Sequence, residues 1–164
     1  MYRQNRIVES PQLKKSKEAK LRMFVHLKTK TIYSLLEGAI FAKALADQCR
    51  KFKMPAVGIA DRANLFGALE FSEVLSDNGI QPIIGCQLPM SFKEADLKKL
   101  KATERISMLF LAKNELGYRN LMELSSKFFL NDAYRFEGMS IREIDKFSDG
   151  LILSLIHISE PTRR

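Results

Sequence analysis

The feature that most constrains this chain is its alternation of short apolar runs with segments of helical spacing. The strand-like runs lie at residues 23–29, 56–60, 81–88 and 107–112. Segments in which apolar residues recur every three or four positions lie at 40–52, 68–76, 117–130 and 140–147, with a charged, helix-prone stretch at 92–100. Regular alternation favours an α/β fold with parallel strands, right-handed crossovers and surrounding helices. We therefore expect a sheet or barrel covered by helices.

Polar side chains follow the predicted strands where each strand ends. The positions concerned are Lys28, Lys30, Asp61, Arg62, Asn64, Gln87, Lys113 and Asn114. In parallel α/β folds, functional residues gather at the carboxyl ends of the strands. Functional side chains are therefore expected at these strand ends.

The charge of the chain is concentrated near its beginning. The net charge is +8, yet residues 1–22 contain seven Lys or Arg against two Glu. The body, residues 23–152, is left with only +2. A basic, polar segment of this kind is typical of a disordered arm, which could contact nucleic-acid phosphates. The body itself gives no strong basic signal.

Several functional classes find no support in the motifs. The glycines form no dinucleotide or phosphate-binding loop, and no Cys/His spacing suits zinc. Cys49 and Cys86 are too few for a disulfide framework, which agrees with a reducing cytoplasm. No apolar run reaches the roughly 18 residues that a membrane helix needs.

The last residues have an unusual sequence. Residues 153–163 read LSLIHISEPTR, which is the translation of a common transposase sequencing adapter in one frame. We therefore expect the native sequence to end near residue 152, with 153–164 a library artefact. On this interpretation His157 has no role, and the chain is interrupted within its fold.

Four stretches resemble the PHP domain that begins the alpha subunit of bacterial DNA polymerase III. They are FVHLKTKTIYSLLEGA (24–39), MPAVGIADRANLFGALEF (54–71), GIQPIIGCQL (79–88) and LAKNELGYRNLMELSS (111–126). They occur in the order and spacing of that family. The resemblance implies a truncated, distorted PHP-type β/α barrel over residues 23–152.

The resemblance also implies a metal site whose ligands this sequence has mostly lost. Intact members carry His-x-His after the first strand, Asp-His after the second, and Glu after a Gly-Cys pair. The matching residues here are Lys28, Lys30, Asp61, Arg62 and Gln87. Only Asp61 keeps a ligating side chain, since an ammonium or guanidinium has no lone pair for a metal. We expect neither a bound metal nor a catalytic residue in this chain.

Two further expectations concern the neighbourhood of Asp61. The cationic replacements suggest that Lys28, Lys30 or Arg62 neutralises Asp61 by a direct ion pair. His26 shares the face of Lys28 by strand alternation, and a histidine held by local hydrogen bonds is the favoured interpretation over a ligand.

Three functions follow from the resemblance. In the first, the chain is the N-terminal part of a replicative, cytoplasmic polymerase that uses magnesium held outside this chain. Its PHP domain would then be an inactive scaffold for the polymerase body and the proofreading exonuclease subunit, with primer-template DNA bound by missing C-terminal domains. The second is a metal-dependent phosphoesterase or an intrinsic 3′–5′ exonuclease, which the lost ligands oppose. The third is a standalone interaction module.

Overall fold

The computed structural model describes residues 24–91 and 107–155. Its strands are β1 (Ala56–Arg62), β2 (Gln81–Ser91), β3 (Ser107–Ala112), β4 (Met139–Ser140) and β5 (Leu151–Leu155). Its helices are α1 (Ala42–Lys51), α2 (Ala68–Asp77), α3 (Glu115–Leu130), α4 (Asp132–Glu137) and α5 (Ile141–Asp145). The expected α/β class is thereby confirmed. The helix predicted at 92–100 lies outside the described residues.

The strands form one mixed sheet in the order β1-β2-β3-β5, with β4 paired to the end of β2. The pairs β1–β2 and β2–β4 are parallel, as expected. The strand β3, however, is antiparallel to both of its neighbours, β2 and β5. An apolar run indicates that a strand is buried but carries no information about its direction. Direction depends on whether the connection carries the chain back to the opposite end of the sheet before the next strand begins.

A first strand was predicted at residues 23–29, and its described part, residues 24–29, lies along the free edge of β1. The Thr29 amide donates to the Gly58 carbonyl at 3.0 Å, and the Ala60 amide donates to the Thr29 carbonyl at 2.9 Å. The Gly58 amide also donates to the His26 carbonyl at 2.6 Å, and Thr29 pairs with Ile59 in parallel orientation. A Cβ atom at Gly58 would lie 2.5 Å from the Leu27 carbonyl oxygen, so glycine permits this close approach.

Helices cover one face of the sheet in two buried clusters. The first unites α1 and α2 with β1, and its members include Leu45, Val57, Phe71 and Leu75. The second unites α3 with β2 and β3 through Cys86, Leu88, Phe110, Leu121 and Leu124. The opposite face carries a small cluster of Ala60, Leu109 and Leu111. Strand alternation explains this division, since neighbouring residues of a strand point to opposite faces.

Local signals located most helix ends correctly. The Asn114 side chain caps α3 by accepting from the Gly117 amide at 2.9 Å, and Ser140 caps α5 by accepting from the Glu143 amide at 3.3 Å. The Glu143 carboxylate pairs with Lys127 and Lys146. The strand β5 continues across the predicted boundary at residue 152 as far as Leu155.

Candidate functional site

The Asp61 carboxylate lies near the end of β1 and is buried, with 4% of the residue exposed. Its Oδ1 atom accepts hydrogen bonds from the Thr31 amide at 2.7 Å and from the Ser34 hydroxyl at 2.5 Å. Its Oδ2 atom accepts from the Thr31 hydroxyl at 2.6 Å. Buried carboxylates need such donors, because an unpaired buried charge is very costly. The loop that contains Thr31 and Ser34 therefore stabilises the Asp61 charge by hydrogen bonds, a role that was predicted for cations.

The loop between residues 31 and 38 is shaped to present these donors. The Ser34 amide donates to the Thr31 carbonyl at 2.9 Å, and the Gly38 amide donates to the Ser34 carbonyl at 2.9 Å. A Cβ atom at Gly38 would overlap the backbone of Lys30 and Thr31, so glycine allows the loop to close. The Ser34 hydroxyl also accepts from the Arg62 amide at 3.1 Å, which ties the loop to the end of β1.

The expected ion pair between Asp61 and a cation is wrong. Lys30 binds Oε2 of Glu37, and the Arg62 guanidinium binds Oε1 of the same carboxylate at 2.8 Å. No described Lys or Arg nitrogen is paired with Asp61 within 4.0 Å. The hydrogen bond from Lys30 is the largest cause that holds the pKa of Glu37 below its ordinary value, although partial burial opposes it. The prediction failed because the hydroxyl donors of the loop already fill the space around Asp61.

Lys28 differs from the other two cations in having no carboxylate within ion-pair distance among the described residues. Partial burial, followed by repulsion from Lys30, lowers the pKa of Lys28, and attraction from Glu37 only partly compensates. His26 lies two residues earlier, with its ring edge-on to Phe24 at a centroid distance of 4.5 Å. Lys28 therefore adds a positive charge that no described carboxylate neutralises by an ion pair.

Gln87 and Cys86 occupy the corresponding end of β2. The register places Cys86 beside Asp61 and Gln87 beside Arg62. Burial raises the pKa of the Cys86 thiol to about 12, so it remains protonated. The Oε1 atom of Gln87 is buried and has no hydrogen-bond partner among the described residues.

These residues do not fit a metal ion. Both Asp61 oxygens already accept hydrogen bonds from hydroxyl or amide groups. The only other carboxylate of the cluster, Glu37, is shared by two cations. Within residues 24–91 and 107–155, no group of three or more His, Cys, Asp or Glu side chains is arranged to hold a metal. A Lys ammonium and an Arg guanidinium would moreover repel one.

Sequence reasoning missed three residues of this site, namely Thr31, Ser34 and Glu37. The five metal-pocket positions were taken from the family's ligand motifs, which follow strands, whereas these three residues lie within a loop. A usable signal was present, because Glu37 is the one acidic residue between Phe24 and Asp47 and shares that stretch with three lysines. Asn64, a strand-end candidate, is buried and braces the loop by donating to the Tyr33 carbonyl at 3.0 Å. The loop's conformation could not be read from spacing.

The fold and the sequence together define the class. The chain matches the PHP domain family over residues 26–160, and it belongs to that family. The resemblance expected from the four motifs is thereby confirmed.

The curated relatives of this chain include several proteins that share one name, DNA polymerase III subunit alpha. The chain is 47% identical over 131 residues to DNA polymerase III subunit alpha of Caulobacter vibrioides, which covers 79% of this chain and 11% of that protein. It is 37% identical to the subunit of the same name from Borreliella burgdorferi, over the same shares. It is 34% identical to that of Campylobacter jejuni, with 82% and 11% covered. The chain thus spans about a ninth of the length of these relatives.

A solved structure shows a weaker likeness. It is a crystal structure named for a metal-dependent phosphoesterase of Bifidobacterium adolescentis, with a TM-score of 0.48 and 23% identity. The match covers 68% of this chain and 34% of that one.

Among the described residues, no helix combines the length and the apolar character needed to cross a bilayer.

Proposed function

We propose that this chain belongs to the N-terminal region of a replicative DNA polymerase alpha subunit, in which its PHP domain is a non-catalytic scaffold. The relatives named above support the parent, which would be a cytoplasmic DNA-directed DNA polymerase that uses magnesium outside the residues of this chain. The observation that carries the scaffold role is the Asp61 site. There, hydroxyl groups donate to the one remaining carboxylate, Asp61, and the cations Lys30 and Arg62, which stand where metal ligands would be needed, pair with Glu37.

The competing enzyme function is metal-dependent hydrolysis of phosphoesters or of DNA ends. Such chemistry needs several carboxylates or imidazoles to hold the metal and activate water. The five positions Lys28, Lys30, Asp61, Arg62 and Gln87 would have to supply them. Four of these side chains are cationic or neutral amides, and the fifth already accepts three hydrogen bonds. We therefore place the degenerate metal pocket at these five positions, with no role in catalysis.

Metal titration tests this proposal directly. The full chain would be titrated with Mn²⁺ and Zn²⁺ in a calorimeter and assayed for hydrolysis of a nitrophenyl phosphodiester and of single-stranded DNA. We expect no saturable binding at this site and no metal-dependent activity. A matched variant would carry Lys28→His, Lys30→His, Arg62→His and Gln87→Glu together. Metal binding gained only by this variant supports the proposal, whereas binding by the wild-type chain that Asp61→Asn abolishes would contradict it.

The scaffold role requires a contact surface, and α3 offers a candidate. The Phe66 and Phe129 rings stack at a centroid distance of 6.3 Å, and both are exposed, by 70% and 45%. Leu130 and Phe136 nearby in sequence are exposed by 87% and 73%. Exposed apolar groups that pack together, as the Phe66 and Phe129 rings do, often mark protein contacts. We assign this surface to the polymerase body or to the proofreading exonuclease subunit.

Co-purification with the full-length parent tests this surface. With Phe129→Ser and Leu130→Ser, we expect weaker retention of the exonuclease subunit or lower stability of the parent, since apolar contacts would be lost. Leu116→Ser is the matched control, because Leu116 is 52% exposed on the same helix but lies near its other end. Equal behaviour of both variants would argue against this surface.

The parent itself is tested by sequencing the source DNA through codon 152 with a method that uses no transposase adapter. A frame that continues into a long polymerase supports the proposal. A frame that encodes residues 153–164 and then stops would favour the standalone module.

A further inference from the structure

The strand β5 forms one margin of the sheet, with β3 as its neighbour. All of its residues, 151–155, pair with β3 in antiparallel register. No described strand pairs with the other edge of β5, whereas residues 24–29 lie along the free edge of β1 at the opposite margin. An uncovered edge presents backbone N–H and C=O groups that can pair with a strand of another chain. The outer edge of β5 is therefore an open hydrogen-bonding surface.

The strand β5 lacks the features that usually prevent pairing at an edge, which are charged side chains, proline and bulges. Its sequence, LILSL, contains no charged residue and no proline, and its register with β3 is continuous. Ile152 is 51% exposed and Leu153 is 42% exposed. Neighbouring residues of a strand point to opposite faces of the sheet. A strand added at this edge would therefore find an apolar side chain on each face.

A second copy of β5 complements this edge. When two antiparallel copies overlap fully, Leu153 lies opposite itself, Ile152 lies opposite Ser154, and residue 151 lies opposite residue 155. Leucine then faces leucine at every odd position, and no charges meet. A basic or acidic partner segment, by contrast, would find no opposite charge in β5. The self-pairing is two-fold symmetric, so it closes after two chains.

The helix beside β5 does not oppose this arrangement. The first turn of α3 packs against the residue that precedes β5, because a Cβ atom at Gly117 would overlap the Gly150 carbonyl. The charged residues near that end of α3, Glu115 and Arg119, form an ion pair with each other. Two copies brought together at β5 would therefore gain no like-charge contact from an unpaired residue of this pair.

We propose that two copies of this chain associate by antiparallel pairing of their β5 edges, centred on Leu153, so that their sheets become continuous across a two-fold axis. The proposal goes beyond the scaffold role and does not depend on it. It concerns the 164-residue chain itself, whatever the origin of residues 153–155. Because two strands of five residues form a small interface, the dimer should be weak and should depend on concentration.

The test is analytical ultracentrifugation of the full chain from micromolar to near-millimolar concentration. We expect the wild type to pass from monomer to dimer over this range. Leu153→Lys and Leu153→Glu should each stay monomeric, because like charges would lie directly opposite each other, and an equimolar mixture of the two should dimerise because unlike charges would face each other. Ile141→Lys is the matched control, since Ile141 is 54% exposed in α5, outside the sheet, and it should dimerise as the wild type does. A wild type that stays monomeric, a mixture that stays monomeric, or equal disruption by Ile141→Lys would overturn the proposal.

Cross-linking tests the register without adding charge, and it remains decisive if a charged variant fails to fold. Directly opposite residues of an antiparallel pair have Cα atoms about 4.5–5.5 Å apart, which suits a disulfide. Leu153→Cys should therefore form a disulfide-linked dimer on mild oxidation, and Ile141→Cys should do so much more slowly. The native thiols Cys49 and Cys86 are buried and should not contribute. Equal cross-linking of the two variants would overturn the proposal, and melting curves from circular dichroism establish that each variant is folded.

Discussion

The substitution Asp61→Asn separates the hydroxyl arrangement around Asp61 from an ion pair. An Asn side chain has one acceptor oxygen, and its NH₂ group can only donate. If that oxygen takes the place of Oδ1, the bonds from the Thr31 amide and the Ser34 hydroxyl persist. The NH₂ group then faces the Thr31 hydroxyl, whose bond to a charged acceptor is lost.

The magnitude follows from these three bonds. One hydrogen bond to a charged group contributes about 1.5–3 kcal/mol. The two remaining bonds lose the acceptor's charge, and charge-assisted bonds are roughly twice as strong as neutral ones. We therefore expect Asp61→Asn to lower the free energy of unfolding by about 3 kcal/mol, measured by urea titration of the full chain at pH 7.

Double-mutant cycles then identify the partner. Residues in direct contact show coupling of about 0.5–3 kcal/mol, whereas independent residues are additive within about 0.5 kcal/mol. We expect Ser34→Ala to couple with Asp61→Asn by more than about 1 kcal/mol, and Lys30→Gln to be nearly additive with it. Coupling to Lys30 that exceeds coupling to Ser34 would refute the reasoning and restore the ion pair.

Three other predictions use the same chain. The pKa of Glu37 is lowered in the folded chain, so its contribution to stability is present above its ordinary pKa of 4.5 and is lost as pH falls through the folded value. Glu37→Gln should therefore lose less stability than the wild type between pH 7 and pH 3 in urea titrations. An identical loss would contradict this. Burial raises the pKa of both Cys49 and Cys86, so neither thiol should react with an aromatic disulfide reagent at pH 8 until denaturant is added; rapid reaction of the folded chain would disprove it. Gly58→Ala should lower the free energy of unfolding by about 1–3 kcal/mol, because its Cβ would overlap the Leu27 backbone. A neutral result in the same urea assay would show that the segment 24–30 moves freely.

The candidate site illustrates where sequence reasoning succeeded. Asp61, Arg62 and Gln87 were identified because they follow apolar runs, and the register of β1 and β2 does bring them to the same end of the sheet. Strand length was less accurate, since β1 extends through Asp61 and Arg62, which were expected to begin a loop. A polar residue at a strand end still pairs its backbone, and composition does not reveal that.

The partners of these residues could not be predicted. Sequence places Lys28, Lys30 and Arg62 near Asp61, and opposite charges so close suggest an ion pair. The structure instead assigns Lys30 and Arg62 to Glu37, a loop residue at the surface of the same cluster. The partners of Asp61 depend on the turn at Ser34, because this turn places two hydroxyl groups against the buried carboxylate.

The sequence by itself determined the alternating elements, the family and the loss of metal-ligating side chains at four positions. Each of these depends on residue type and local period, which the chain carries directly. Only the tertiary structure decided the antiparallel direction of β3, the hydroxyl donors around Asp61 and the open edge of β5. These features depend on contacts between residues that are distant in the sequence, such as Thr31 with Asp61. Such contacts follow from the way the whole chain packs, and local pattern does not contain them.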